Sequence, residues 1–341
     1  MTQAVPHTFP LPSAPRSALP LPTLHVPSRA AGEARALGAY AKKKLADLVR
    51  PLHVPELALE AWFRLHGLRP HHVDLPNGTM HAFVAGGDKP PLLLLQGFGA
   101  DAKWQWWNQV HELSKHRRLI VPDLLYFGRS HSHSGDVSLD HQLDTVLQLL
   151  DRYGIARCDV VGISFGGLVA FELASRFGHR VRKVVISNSP GPVMKHEDHH
   201  DLLERFRVRE IADILVPEGP DHVPRLFGVA WHRPPYVPRF ALPDAYHRFF
   251  IPHAEEKRLV MRALTDRIES PELEDRKVDV ETLVLWGEHD AIFPVRLGKR
   301  LQARIGKNAR LHVIPGTAHA PNQEKAREYN RIVLEFLLEG A

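Results

Sequence analysis

Residues 92–95 are four consecutive leucines, the pattern of a strand buried on both faces. The runs 119–121, 159–162, 183–187, 282–286 and 311–314 repeat that character. Helical periodicity separates most of them, for example over 139–153 and 168–177. Upstream, 72–75 and 79–84 flank Pro76-Asn77-Gly78, whose turn chemistry predicts a hairpin. Strands alternating with helices predict an α/β protein, with a mostly parallel central sheet, helices on both faces and a core spanning 71–190 and 278–341. Residues 191–277 break the alternation. They are polar, helix-patterned, too long for a loop and interrupted by seven prolines from Pro217 to Pro243, so they predict a helical cap inserted over one end of the sheet.

The first 70 residues follow other rules. Residues 1–28 hold Pro6, Pro10, Pro12, Pro15, Pro20, Pro22 and Pro27 with almost no charge, which predicts an extended, disordered leader. Within 29–70 a helical segment is expected. Over 29–50, Ala34, Leu37, Ala41, Leu45 and Leu48 recur at helical spacing, with Arg35, Lys42, Lys43 and Lys44 on the other face. Such a helix suits peripheral contact with an anionic membrane surface, although packing against its own domain is the commoner explanation. A second helix, over 55–66, presents Leu57, Trp62, Phe63 and Leu65.

The net charge of +5 belongs to this end, because residues 1–70 hold nine Lys and Arg against four Asp and Glu while the rest is balanced. The body therefore has no basic footprint, and nucleic acid is not an expected partner. No run approaches a membrane span, and the start lacks the basic-then-apolar order of a secretory signal. The expectation is a cytoplasmic protein with 29–50 as its one candidate membrane contact. Oligomeric state leaves no mark in the sequence. The single cysteine, Cys158, falls in a predicted central strand and reads as a buried structural thiol.

The chemistry gathers around Gly162-Ile163-Ser164-Phe165-Gly166-Gly167, where a predicted strand turns into a helix starting near Gly167. Gly-x-Ser-x-Gly arises by chance in roughly one chain of this length in ten, so its strand–turn–helix context carries the argument. A serine held on a strained turn needs neighbours without Cβ, and the following helix turns its N-terminal N–H groups toward any negative charge formed there. A serine hydroxyl is a weak nucleophile at neutral pH and requires a base oriented by a carboxylate. Behind such an elbow those partners follow in the order Ser, Asp or Glu, His. Asp290 lies just past the strand ending near Trp286, with Glu288 as the alternative acid. His319 follows the last predicted strand, and His289 reads as a loop residue. Backbone N–H groups of Phe98 and Phe165 are the expected oxyanion donors, the former in the glycine-bearing loop Gln96-Gly97-Phe98-Gly99. Nothing in this chemistry calls for a metal or a cofactor. His196, His199 and His200 share a helix face, but no carboxylate or cysteine joins them at ligand spacing, so a solvated face is expected.

From about Arg69 to the C-terminus the chain resembles the α/β-hydrolase-fold serine hydrolases. The matching blocks are residues 94–99, Pro122-Asp123-Leu124 with Phe127-Gly128-Arg129-Ser130, residues 162–167, 286–290 and 316–319. Trp104-Gln105-Trp106 and Trp231-His232-Arg233-Pro234-Pro235 resemble the monoacylglycerol-lipase-like and esterase branch. The resemblance implies hydrolysis of a small-molecule ester through Ser164. Dehalogenases and epoxide hydrolases of this fold carry aspartate at the nucleophile position. The family usually has histidine where Gln96 stands; glutamine can still tie the loop down by hydrogen bonding, with Gly97 and Gly99 shaping it. Asp123 reads as structural. Trp104, Phe227 and Trp231 are the expected substrate-binding aromatics, and the apolar cap tilts the expected substrate toward medium-chain or monoacylglycerol-like lipid esters. Two other readings stay open: a C–C bond hydrolase or thioesterase on the same triad, and a catalytically idle binding protein.

Overall fold

A strand buried on both faces sends alternate residues to opposite cores, and residues 50–340, which the computed structural model describes, are arranged by that rule. The strands are β1 (Leu68–Leu75), β2 (Gly78–Ala85), β3 (Pro91–Leu95), β4 (Arg118–Pro122), β5 (His131–Ser132), β6 (Cys158–Ile163), β7 (Val181–Ser187), β8 (Glu281–Gly287) and β9 (Ala309–Ile314). They form one sheet in the order β1-β2-β4-β3-β6-β7-β8-β9, with β5 beside β2. Pairing is antiparallel through β1, β2, β4 and β5, and parallel from β4 through β3 to β9. The expected hairpin is β1–β2, with Leu75 opposite Gly78.

Leu93, Leu95, Val160, Val184, Ile186 and Trp286 point into one apolar cluster. Leu92, Leu94, Val161, Ile163, Val185 and Leu285 point into the other. Helices α1 (His53–Leu65), α2 (Ala102–Leu113), α3 (Leu139–Arg152) and α4 (Phe165–Arg176) cover both faces, α3 and α4 on the first and α1 and α2 on the second. The side chain of Asp101 caps α2 by accepting from the Trp104 N–H. Cys158 is buried in β6, and burial pushes its thiol up to about 12, so it is a poor nucleophile.

Between β7 and β8 the chain leaves the sheet for α5 (His196–Phe206), α6 (Ala212–Leu215), α7 (Val223–Ala230), α8 (Leu242–Phe249), α9 (Ala254–Thr265) and α10 (Pro271–Glu274). These helices close a third apolar cluster of their own, including Leu202, Ile214, Leu226, Leu242 and Met261. Ile292, from the loop after β8, joins that cluster. After β8 come α11 (Val295–Ile305), on the α4 side, then α12 (Pro321–Glu324) and α13 (Ala326–Leu338), the latter on the α1 side.

Two boundaries move from their expected places. The helix after β6 starts at Phe165, directly behind Ser164, rather than near Gly167. The sheet starts at Leu68, and α1 ahead of it places the fully buried Phe63 among Leu68, Phe83 and Trp106. The stretch just before residue 71 thus shares the core, because Phe63 needs Phe83, 4.7 Å away between ring centroids, to cover it. The expected leader over 1–28 and basic helix over 29–50 lie outside the described residues, apart from Arg50. No helix among the described residues is long and apolar enough to cross a membrane.

If α1 is part of the core, Phe63→Ala should cost about 3–5 kcal/mol of unfolding free energy. Denaturant titration checks this, and a loss under about 1 kcal/mol would mean that α1 is only loosely attached.

Candidate active site

The local fold around Ser164 is set by the absence of side chains. Ser164 has φ 54° and ψ −119°, a conformation an L-residue rarely adopts. A Cβ on Gly162 would overlap the carbonyl oxygen of Gly166, and one on Gly166 would overlap that of Leu95. Ser164 N–H donates to Ser187 O at 2.9 Å, and its own carbonyl accepts from Leu168 N–H at 3.0 Å. The serine is therefore held between the end of the β6–β7 ladder and the first turn of α4.

Two other strand ends deliver its partners. His319, in the loop after β9, places Nε2 2.9 Å from Ser164 Oγ, and its Nδ1 lies 2.8 Å from Asp290 Oδ2. With a carboxylate accepting from Nδ1–H, Nε2 is left with a lone pair toward the serine hydroxyl. Asp290 is fully engaged. Its Oδ1 accepts from the N–H groups of Ile292 and Phe293, both at 2.9 Å, and its Oδ2 also accepts from Asn188 Nδ2 at 2.8 Å. A Cβ on Gly287 would overlap the carbonyl of Ala318, so the His319 loop packs directly on the end of β8. The alternatives fall elsewhere: Glu288 accepts from Gly316 N–H at 2.8 Å, and His289 stacks on His232 at the surface.

The loop after β3 completes the arrangement. Gly97 leaves only 3.1 Å between a would-be Cβ and Ser164 Cβ, and Gly99 has φ +129°. Among the described residues, neither Phe98 N–H nor Phe165 N–H donates to a protein acceptor. Gln96 is fully buried; with its amide oriented to suit its neighbours, it donates to Pro122 O at 2.9 Å and accepts from Leu124 N–H at 3.0 Å. It thereby ties this loop to the end of β4. Asp123 braces the same region, accepting from Ala102 N–H at 2.9 Å and lying 2.9 Å from His81 Nδ1.

Ser164 and His319 open into a partly open cavity between the sheet and the helical insertion. Its wall is mainly apolar: Phe98, Phe165 and Leu168 from the sheet domain face Ile211, Leu215 and Met261 from the helical insertion. The expected substrate aromatics are not on that wall. Trp104, half-buried, turns its indole N–H to the Glu56 carboxylate and its ring to Phe249. Phe227 and Trp231 pack on each other, 5.0 Å between centroids, and Trp231 borders a separate surface cleft beside Gly316 and Lys325. Asn188, which sequence reasoning missed, sits at the end of β7 with φ 48°. Its only signal was an asparagine just past the carboxyl end of a parallel strand. His196 and His200, on α5, lie within ion-pair reach of Glu269 and Glu204 respectively. Among the described residues no group of three or more His, Cys, Asp or Glu could hold a metal.

A nucleophile elbow with a histidine–carboxylate pair at the carboxyl edge of a mostly parallel sheet defines the α/β-hydrolase class. The chain belongs to that family: the model for the alpha/beta hydrolase fold matches residues 90–326. Among curated proteins it is 28% identical over 280 residues to epoxide hydrolase 3 of Xenopus tropicalis, covering 77% of this chain and 76% of that protein. It is 30% identical over 270 residues to 2-hydroxy-6-oxo-2,4-heptadienoate hydrolase of Pseudomonas putida, covering 76% and 92%. Among solved structures it shares its fold with a membrane phospholipase A, with TM-score 0.71, 24% identity and coverage of 89% and 98%. It also matches a putative lipase from Acinetobacter baumannii, with TM-score 0.72, 21% identity and coverage of 83% and 95%.

Asn188→Ala removes one charge-assisted donor from Asp290 and should slow phosphonylation of Ser164 by a fluorophosphonate roughly 10- to 100-fold. A rate within twofold of wild type would show that the other three donors suffice to hold Asp290.

Proposed function

We propose that the protein hydrolyses carboxylic esters through an acyl-enzyme on Ser164, with lipid-like medium-chain or monoacylglycerol esters as substrates. The observation that carries this reading is the continuous chain Ser164 Oγ–His319 Nε2–Asp290, opening into an apolar cavity. His319 Nε2 takes the hydroxyl proton as Oγ attacks the acyl carbon. Phe98 and Phe165 N–H groups receive the oxyanion, the second backed by the N-terminus of α4. His319 then gives the proton to the departing alcohol, and a water activated by the same nitrogen releases the acid. Asp290 holds the imidazole in the required tautomer and stabilises its cation.

The chemistry of the nucleophile separates this chain from a relative named for epoxide hydrolysis. Ring opening by a serine would leave an alkyl ether, which water does not cleave under these conditions. A carboxylate nucleophile leaves an ester, which water does cleave. A serine nucleophile therefore suits a carbonyl substrate, whose acyl-enzyme ester water can cleave. A second reading, cleavage of a carbon–carbon bond beside a ketone, is favoured by the relative named for 2-hydroxy-6-oxo-2,4-heptadienoate. It would use the same nucleophile, but its leaving group is a carbon acid. The largely apolar walls of the cavity favour the ester.

Hydrolysis of p-nitrophenyl esters from acetate to palmitate should peak at medium chain length and fall by roughly three or more orders of magnitude in Ser164→Ala. Serine-independent turnover, or none with any ester, would reject the ester reading and favour ketone substrates.

A further inference from the structure

The cavity beside Ser164 and His319 is mainly apolar, but Ser189, Thr265, Arg267 and, from the middle of α4, Glu172 also line it. Phe165, Leu168 and Glu172 stand three and four residues apart, so one face of α4 forms a continuous stretch of wall. That stretch runs about 12 Å along the helix from Ser164 to Glu172. Glu172 is fully buried, and neither of its carboxylate oxygens has a hydrogen-bond partner. Its nearest cations, Arg276 Nε at 3.7 Å and Arg176 Nη1 at 3.9 Å, stand too far off for hydrogen bonds. Arg267 lines the same cavity, and its Nη2 is likewise buried without a hydrogen bond, its nearest anion being Glu272 Oε2 at 3.9 Å. Burial pushes the Glu172 carboxyl up, while Arg267, Arg276 and Arg176 oppose that shift.

Buried polar atoms without partners are uncommon in native proteins and costly to leave so. An acceptor and a donor on one cavity wall that both lack hydrogen-bond partners are what a ligand group with both functions would satisfy. Charge narrows the choice. A carboxylate at that end would face Glu172, and an ammonium would face Arg267, each a like-charge contact at low dielectric. A hydroxyl does neither: it donates to the carboxylate and accepts from the guanidinium.

We propose that Glu172 and Arg267 form a polar terminus for the substrate chain, and that the preferred substrate carries a hydroxyl at the end remote from the cleaved bond. This deepens the ester reading and rests on it. Glu172 is on this account a specificity residue, distant from the bond that breaks.

Two matched pairs test it, since the chain along α4 belongs either to the acid or to the alcohol of the ester. These are p-nitrophenyl ω-hydroxydecanoate against p-nitrophenyl decanoate, and ω-hydroxydecyl acetate against decyl acetate. Wild type should prefer the hydroxylated member of one pair by at least about tenfold in kcat/KM, as expected where a buried polar site would otherwise be left unpaired. Glu172→Leu should reverse that preference, and Glu172→Gln, which keeps an acceptor, should retain much of it. An ω-carboxy analogue should be a poorer substrate than either. A merely structural Glu172 would lower both members alike and leave the ratio unmoved. No hydroxyl preference in either pair, or a ratio indifferent to Glu172→Leu, overturns the proposal. If Glu172→Leu does not fold, Arg267→Leu supplies the same ratio. If no ester turns over, the ester reading fails separately. The polar terminus is then decided by calorimetry on Ser164→Ala, where methyl ω-hydroxydecanoate should bind at least about tenfold tighter than methyl decanoate, and equal affinity contradicts it.

Discussion

Close backbone approach at one turn governs this molecule. Ser164 can keep φ 54° only because Gly162 and Gly166 leave room for each other and for the carbonyl of Leu95. A residue in such a region costs on the order of 1–3 kcal/mol and persists only where its surroundings over-determine it. Here the surroundings are the carboxyl ends of β3, β6 and β7: Leu95 crowds the turn, and Ser187 accepts the Ser164 N–H. The same crowding orders the chemistry. The turn that lifts the hydroxyl also sets Phe165 as the first residue of α4, which leaves its N–H without an intrahelical acceptor.

The supporting groups are bound to strand ends in the same way. Asp290 receives four donors, two from the backbone just after it, one from Asn188 past β7 and one from His319 past β9. Three neighbouring strands thus fix one carboxylate, and that carboxylate fixes the ring that meets the serine. On the far side, Gln96 spans the ends of β3 and β4 through Pro122 and Leu124. Its two amide functions match one backbone acceptor and one backbone donor, so glutamine meets both needs of this loop at once.

Much of this was legible in the sequence because parallel strands advertise themselves. Residues 92–95 and 160–163 are apolar without a solvent face, and Ser164, Asp290 and His319, which the structure brings within hydrogen-bond reach of one another, lie just beyond strands of that kind. What the sequence hid are choices made by tertiary packing. Trp104 and Trp106 are near neighbours in a helix, yet Trp106 is fully buried in the core and Trp104 turns to Glu56, a residue 48 positions away. In the insertion, periodicity marks helices but not which apolar face meets the cavity, so the aromatic Phe227 and Trp231 were the expected wall, whereas Ile211, Leu215 and Met261 line it. Glu172 reads as an ordinary helix residue until the insertion closes over it.

The proposed chemistry requires Ser164 to carry the acyl group. Rapid mixing with a medium-chain p-nitrophenyl ester, followed by acid quench and peptide mass mapping, tests that directly. That chemistry predicts a burst of p-nitrophenol approaching one equivalent per enzyme and an acyl adduct on the peptide containing Ser164. Steady turnover with no burst and no adduct on that peptide, under conditions where deacylation is slowed, would contradict it.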